Sequence, residues 1–385
     1  MRVLIAGGGI AGLTTAIALR ARGAEPLVFE RAASAEDLRV GGCIHVWHNG
    51  MRGLQLVGAA DRLLELAGRA AVVDRAEFRT ASGRLMYGWS VKEVERRLGA
   101  PTLGVRRPDL HGVLLDTLGE GVVRFGERCV GVEQDADGVR VRLADGNEAS
   151  GDVLIAADGL RSTLRAVIRE PVEPRYAGYV SWQAIATVGP DVVPVGLFRV
   201  VWGRGARFLF YRIASDSVYW EGTFAAAAGL SDAVADRRAA VLERFRGWSD
   251  PVRTIIEATA SEAISRADMY DRRPSRRWGD GRVTLVGDAA HAMTNAMGQG
   301  ANQAIEDSVV LARSLAEAKQ AQDGLRAYEA QRIPRATKFA KLSWTLARAS
   351  RLQSSVACTV RDWTLTIGFR ASLPRTHLKD MDYGY

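Results

Sequence analysis

Short apolar runs ending in glycine alternate along this chain with segments of helical periodicity. Residues 3–6, Val-Leu-Ile-Ala, form a continuous apolar run closed by Gly7-Gly8-Gly9, the pattern of a buried parallel strand. Residues 10–22 carry apolar positions at helical spacing and stop at Gly23, and 26–30 return to a strand pattern. Together these predict a βαβ unit. Helical spacing recurs at 52–66 and 108–118, while 76–79 and 84–87 flank Ser82-Gly83 as a hairpin. Short strands are expected at 128–133, 139–143 and 152–156, with turns at Asp137-Gly138 and Asp145-Gly146. From 176 to 224 the pattern is strand-rich and aromatic, with Trp182, Trp202, Phe208, Phe210, Tyr211, Tyr219 and Trp220. Helices are expected over 233–246 and 252–260, a buried strand over 282–286, and helices over 301–318 and much of 325–350.

No repeat, low-complexity tract or linker interrupts this order, so a β-rich domain is expected to be inserted within a dinucleotide-binding one. The expected division assigns 1–70, 101–172 and 266–330 to the first domain. Residues 71–100 and 173–265 then form the β-rich substrate domain, and 331–385 a C-terminal helical segment.

Composition adjusts the picture in a few places. At 47% apolar and 25% charged residues, the chain can bury a large core. Its formal charge of +8 raises the question of nucleic acid, but only five of the 52 basic residues are lysines and the arginines are scattered. A nucleic-acid surface would cluster them with aromatics, so no nucleic-acid partner is expected. The scattered charge instead favours anionic cofactors or substrates. Three cysteines without CxxC spacing indicate neither a disulfide framework nor a metal site. The first apolar run is too short for a signal-peptide core, and no run approaches the ~18 apolar residues of a membrane span. A cytoplasmic location is expected.

Two glycine-rich segments carry the chemistry. In the first, Gly7 permits a tight strand-to-helix turn, Gly9 lets backbone approach a pyrophosphate, and Gly12 allows close helix packing, with Ala11 between them. The following helix N-terminus offers free N–H groups to phosphates. Glu30, ending the second strand, is placed to accept ribose hydroxyls and disfavours a 2′-phosphate, which suits FAD. Asp158-Gly159 follows the strand at 152–156 and precedes Arg161 and Arg165. The second segment, Val283 to Asp288 and then Gly298-Gln299-Gly300-Ala301-Asn302, is another strand ending in glycine and carboxylate before a helix. There Asp288 would accept from a ribityl hydroxyl, and backbone N–H groups would face a flavin pyrimidine.

With these residues in place the chain resembles the class A flavoprotein monooxygenases, the single-component FAD-dependent aromatic hydroxylases of the salicylate, hydroxybenzoate and urate hydroxylase kind. Further matching stretches are Glu30-Arg31, Gly41-Gly42-Cys43-Ile44 with Asn49-Gly50, Arg107-Pro108-Asp109-Leu110, Asp158-Gly159 and Gly287-Asp288 through Glu306-Asp307. The resemblance implies an FAD-binding, Rossmann-like α/β domain with an interleaved β-sheet (α+β) substrate domain and C-terminal helices. Gly7, Gly9, Ala11, Gly12, Glu30, Arg31, Arg107, Asp158, Asp288, Gly298, Gly300, Ala301 and Asn302 would then hold FAD. It further implies that NADH or NADPH reduces the flavin, O₂ adds at flavin C4a, and the hydroperoxide hydroxylates or epoxidises an aromatic or polyketide-like substrate. The absence of a second GxGxxG unit is compatible with this, because in the family the nicotinamide binds transiently on the FAD domain. A monomer or homodimer is expected.

Three departures from the family pattern fall near the expected ring site. Asn295 replaces a proline four residues after His291, Trp182-Gln183-Ala184 replaces an aromatic-Arg-Gly stretch, and His48 replaces the proline before Asn49. Arg207 and Tyr211, on one strand face, either bind a phenolate or carboxylate or are an exposed arginine and a core tyrosine. His45 and His48 are acid–base candidates or structural histidines; His291 is expected to brace its loop. Trp182, Trp202 and Trp220 line a pocket or fill the core. A non-catalytic flavin-binding protein, motivated by Asn295, stands as the alternative, with a flavin-dependent halogenase or reductase below it because no WxWxI-type stretch occurs.

Overall fold

The protein is described from a computed structural model covering residues 1–38, 41–168, 172–229 and 236–384, without the side chains of 167 and 372–376. Its apolar runs collect into two large sheets. The first has six strands in the order Gly279–Asp280, Val283–Leu285, Val153–Ala156, Arg2–Ala6, Glu25–Glu30 and Val123–Phe125. Arg2–Ala6 pairs in parallel with both Glu25–Glu30 and Val153–Ala156, which in turn pairs in parallel with Val283–Leu285. These central strands are buried on both faces, which is why they read as unbroken Val, Leu and Ile.

That order brings three distant glycine motifs to one edge. Gly7, Ala157-Asp158-Gly159 and Gly287-Asp288 each follow the carboxyl end of one of three adjacent strands, where open α/β sheets bind ligands. The loops meet backbone to backbone. A Cβ on Gly7 would lie 2.4 Å from the Ala157 carbonyl, and one on Gly12 would lie 1.9 Å from the Gly7 carbonyl. Helix Ile10–Arg20 is buried nearly all round, with the sheet on one side and helix Gly300–Glu317 on the other. Thr15 Oγ1 donates to Ser308 Oγ at 2.9 Å between the two helices.

The second sheet has seven strands in the order Ser265–Asp271, Arg175–Thr187, Ser217–Ala225, Ala206–Arg212, Leu197–Trp202, Arg75–Thr80 and Leu85–Ser90. One face covers a core built on Phe208, Phe210, Trp220, Val241 and Ile255; the other faces the glycine edge of the first sheet. Helices Ala321–Ser350 and Ser355–Met381 close the fold.

Several expected elements shift. The single helix over 52–66 is two, His48–Leu56 and Ala60–Ala67, parted at Gly58. The turn at Asp145-Gly146 leads into a strand, Glu148–Gly151, that is short, half-exposed and too polar to announce itself. Of the helix expected over 233–246, residues 233–235 lie outside the described residues and the helix observed is Arg237–Arg244. No helix among the described residues is long and apolar enough to cross a membrane, and none of their His, Cys, Asp and Glu side chains group into a metal site.

A buried charge cluster ties the layers together. Asp307 accepts from Gly287 N at 2.9 Å, from His291 Nε2 at 2.5 Å and from Arg332 Nε at 2.7 Å. Glu306 accepts from Asn49 Nδ2 and Arg335 Nη2, each at 2.7 Å, and is also paired with Arg332 Nη1. Burial alone would raise both carboxyls. The arginines, with Asn49 at Glu306 and His291 at Asp307, more than offset it and hold both below their ordinary values of 4.5 and 3.8. A carboxyl lowered on folding adds stability above its unfolded pKa, and that contribution disappears as pH falls through the folded one. Arg332→Leu is expected to destabilise the protein by about 3–5 kcal/mol, the usual cost of removing one partner of a buried ion pair. Urea denaturation should also show the native protein losing stability below the ordinary carboxyl range more steeply than the variant. Equal acid slopes would refute this account of the cluster.

Candidate active site

A cavity of about 560 Å³ lies between the glycine edge of the six-stranded sheet and one face of the seven-stranded sheet. Its two halves differ in chemistry. One is backbone-rich: Gly9, Ile10, Ala11, Gly42, Ala157, Gly159 and the loop from Met293 to Ala301, with Arg107 and Asp288 at its edge. The other is aromatic: Trp47, Phe78, Trp89, Phe198, Trp202, Tyr211, Tyr219 and Phe369, with His45 and His377.

The backbone-rich half fits a dinucleotide carrying a flat ring. A Cβ on Gly9 would meet nothing within 4 Å, so the space beside the first helix N-terminus is open. Gly7 and Gly12 do not line that space; they shape the turn that creates it. Glu30 is buried and fixed, accepting from Gly8 N at 2.6 Å and Ala32 N at 2.8 Å, one through each oxygen. Asp158 Oδ2 accepts from Thr163 N at 2.9 Å, while the buried Oδ1 has no partner among the described residues. Trp47 Nε1 is likewise buried without a partner and sits against Gly298. Gly300 opens helix Gly300–Glu317, whose first N–H groups have no partner within the helix, and Gly300 and Ala301 both line the cavity.

Besides Gly7 and Gly12, four expected cofactor residues do not line the cavity: Glu30, Asp158, Arg31 and Asn302. Asn302 is buried behind the cavity wall with its side chain fully engaged. It accepts from Trp47 N at 2.9 Å and donates to His45 O at 3.1 Å and Gly298 O at 2.8 Å. As the third residue of its helix it faces back to the strand Cys43–Val46, a clamp for the wall rather than a ligand. Arg31 is exposed and does not line the cavity. Arg107, by contrast, does line it, its stem packed against Gly41.

In the aromatic half, strand alternation decides which side chains face the cavity. Arg207, Leu209 and Tyr211 face it from one strand, and Tyr219 and Glu221 from the next. Phe208, Phe210 and Trp220, the intervening residues, face the core behind, as does Trp182. Among the three candidate tryptophans only Trp202 lines the cavity; Trp47 and Trp89 join it from other elements. Tyr211 is buried, its ring 2.3 Å from where a Cβ on Gly104 would stand, and stacks on Phe198 with 5.6 Å between centroids. Burial pushes the phenols of Tyr211 and Tyr219 well above 10, so both stay neutral.

Arg207 is neither exposed nor free. Nη2 donates to Glu221 Oε1 at 3.0 Å and Nη1 to Ala296 O at 2.9 Å. Glu221 Oε2 accepts from Asn295 Nδ2 at 2.7 Å, and Asn295 Oδ1 accepts from Tyr179 OH at 2.6 Å. Glu221 was not among the sequence candidates, although its position two residues after Tyr219 on an alternating strand would have placed it beside Arg207. Phe369 and His377 were also missed, because the C-terminal helix that carries them has no local signal pointing to the site.

The histidines divide similarly. Thr102 Oγ1 gives its proton to Val46 O at 2.7 Å, so it can only accept from His45 Nε2 at 3.2 Å. His45 therefore carries its proton on Nε2 and leaves Nδ1 as a buried lone pair without a partner among the described residues. His48 lies behind the wall, donating from Nδ1 to Ala100 O at 2.7 Å, and is not positioned for acid–base work in the cavity. His291 braces its loop through Asp307.

The FAD binding domain family matches residues 1–343. The chain is 39% identical over 362 residues to the aurachin C monooxygenase/isomerase of Stigmatella aurantiaca, spanning 94% of this chain and 93% of that protein. It is 35% identical over 336 residues to the FAD-dependent urate hydroxylase of Klebsiella pneumoniae subsp. pneumoniae, with 87% and 86% covered. The crystal structure of Klebsiella pneumoniae HpxO complexed with FAD and uric acid superposes with a TM-score of 0.90 at 30% identity, over 99% of this chain and 96% of that one.

Burial lowers His45, His48 and His377 to about 3, 4 and 3, so all three are neutral at neutral pH. Each lowered histidine adds stability above its unfolded value of 6.5, and that stability is lost as pH falls toward the folded value. Denaturation midpoints are expected to decline on acidification from that value, by up to about 1.4 kcal/mol per pH unit for each histidine. His377→Gln should make the decline shallower, since glutamine takes up no proton on unfolding. An unchanged slope in that variant would show that His377 does not resist protonation in the fold.

Proposed function

The chain belongs to the FAD binding domain family and is an FAD-dependent monooxygenase. On that premise we propose that it uses NADH or NADPH and O₂ to insert one oxygen atom, by hydroxylation or epoxidation, into a small aromatic or polyketide-like molecule. The observation that carries the reading is the single cavity joining a backbone-rich face, suited to a flavin ring, to a wall of aromatic side chains. Bound FAD would supply the oxygen-activating redox chemistry; the chain supplies orientation, exclusion of water and charge.

In this reading Gly9 and Ala11 seat the pyrophosphate in the turn that Gly7 and Gly12 shape, with Glu30 and Arg107 toward the adenosine side and Asp158 and Asp288 beside them. Gly298, Gly300 and Ala301 present the N-terminus of helix Gly300–Glu317 to the ring, where its free N–H groups stabilise negative charge. The stacked aromatics exclude water and hold a planar substrate face-on, a role suited to Phe198 against Tyr211. His45 offers an acceptor for a substrate N–H or O–H, while Arg207 and Asn295 bound the far side. Residues 1–70, 101–172 and 266–330 would form the FAD-binding domain, and 71–100 with 173–265 the substrate domain.

The FAD-loaded protein is expected to oxidise NADH or NADPH faster when an accepted aromatic is present, and to transfer ¹⁸O from labelled O₂ into that compound. Reduction that never responds to any aromatic or polyketide-like ligand, together with no label in product, would overturn the proposal.

A further inference from the structure

Asn295 stands where a proline is usual in the family that the sequence resembles, and the structure gives the exchange a partner. The Asn295 amide donates to Glu221 Oε2 at 2.7 Å and accepts from Tyr179 OH at 2.6 Å. The opposite amide orientation would set its oxygen against the carboxylate, so Glu221 fixes it as described. Proline has no side-chain N–H to give. Glu221 also accepts from Arg207 Nη2 at 3.0 Å, and both side chains of that pair are more than nine-tenths buried.

Only two cationic side chains line the cavity among the described residues, Arg107 in the backbone-rich half and Arg207 in the aromatic half. The aromatic half thus carries one buried arginine and, 3.0 Å away, one buried carboxylate. An anion entering there is drawn to Arg207 and repelled by Glu221 at comparable range. It must still shed its hydration, with no net counter-charge in return. A neutral molecule meets no such opposition. Among the described residues that line the cavity, the buried atoms without partners are the Arg207 Nε, Trp47 Nε1, Trp89 Nε1 and Trp202 Nε1 donors, the His45 Nδ1 acceptor and His377 Nε2. Of these, Arg207 Nε and His45 Nδ1 match a neutral ring system bearing an oxygen acceptor and an N–H or O–H donor.

We infer that Glu221, held by Asn295 and paired with Arg207, makes this cavity selective for uncharged aromatic substrates over carboxylates and phenolates. This reverses the expectation that Arg207 anchors an anionic substrate, and it rests on the proposed use of the aromatic half as the substrate site. Glu221 is a specificity-determining residue in this account, and Asn295 its positioning residue.

The FAD-loaded protein titrated at neutral pH with 2-naphthamide and with 2-naphthoate tests this by calorimetry and by the perturbation of flavin absorbance. The two probes share shape and differ in charge. The native protein is expected to bind the amide at least about tenfold more tightly, a preference of roughly 1.4 kcal/mol. Glu221→Gln, which leaves Arg207 uncompensated, should shift the ratio toward the carboxylate by about tenfold or more, and Glu221→Gln/Arg207→Gln should restore the preference for the amide. Equal or tighter binding of 2-naphthoate by the native protein overturns the inference, whatever the variants do. So does a Glu221→Gln protein whose ratio matches the native one. Failure of both probes to bind would overturn the substrate-site reading itself, whereas unequal preference of the wrong sign overturns only the selectivity.

Discussion

The fold is organised around two adjacent carboxylates, Glu306 and Asp307, that are wholly buried and satisfied on every side. Burying such charges is tolerable only when each oxygen finds a donor. The donors come from otherwise separate parts of the chain: Asn49 from the helix behind the cavity wall, Gly287 and His291 from the loop after a central strand, and Arg332 and Arg335 from the long helix. The same arginines carry the ring of Tyr383 over their guanidinium planes, and Arg335 donates to Asp380 O at 2.6 Å. One electrostatic requirement thus places the flavin-facing loop, the cavity wall and the C-terminal tail relative to one another.

From that anchor the cavity follows by geometry. Helix Gly300–Glu317 is held by its inward acids, so its N-terminus and the preceding loop 295–299 sit at a fixed height over the first sheet. The tail held by Arg335 ends the helix Ser355–Met381, which supplies Phe369, His377 and Met381 to the aromatic wall. Gln299 reinforces this link through Nε2 to Met381 Sδ at 3.8 Å. The site is assembled from both ends of the chain, with neither end able to form it alone.

What could be read from the sequence was local. A strand buried on both faces needs an unbroken apolar run, and a tight strand-to-helix turn needs glycine, so the three motifs at the sheet edge declare themselves within a few residues each. That they lie side by side is set by strand order, which no local pattern states. The aromatic wall was half legible: alternation separates Tyr211 and Tyr219 from Phe210 and Trp220, but nothing local says that Trp47, Trp89 and Phe369 meet them. Asn302 was misplaced for a related reason. Its position at a helix start suggested a ligand, whereas the direction its side chain takes depends on a strand 257 residues away in sequence.

Arg207 shows why residue type alone misleads at a buried site. An arginine near an expected substrate position invites an anion, and in isolation it would bind one. Its charge here belongs already to Glu221, on the neighbouring strand and facing the same way. The compensation has a backbone consequence too, because Arg207 Nη1 holds Ala296 O and Asn295 holds Glu221, so the pair also secures the loop over the ring site. Removing the acid would therefore disturb loop position as well as charge, while replacing Asn295 would loosen the acid without adding charge. Selectivity and loop geometry are thus two effects of one buried contact, and a change at either residue must be read for both.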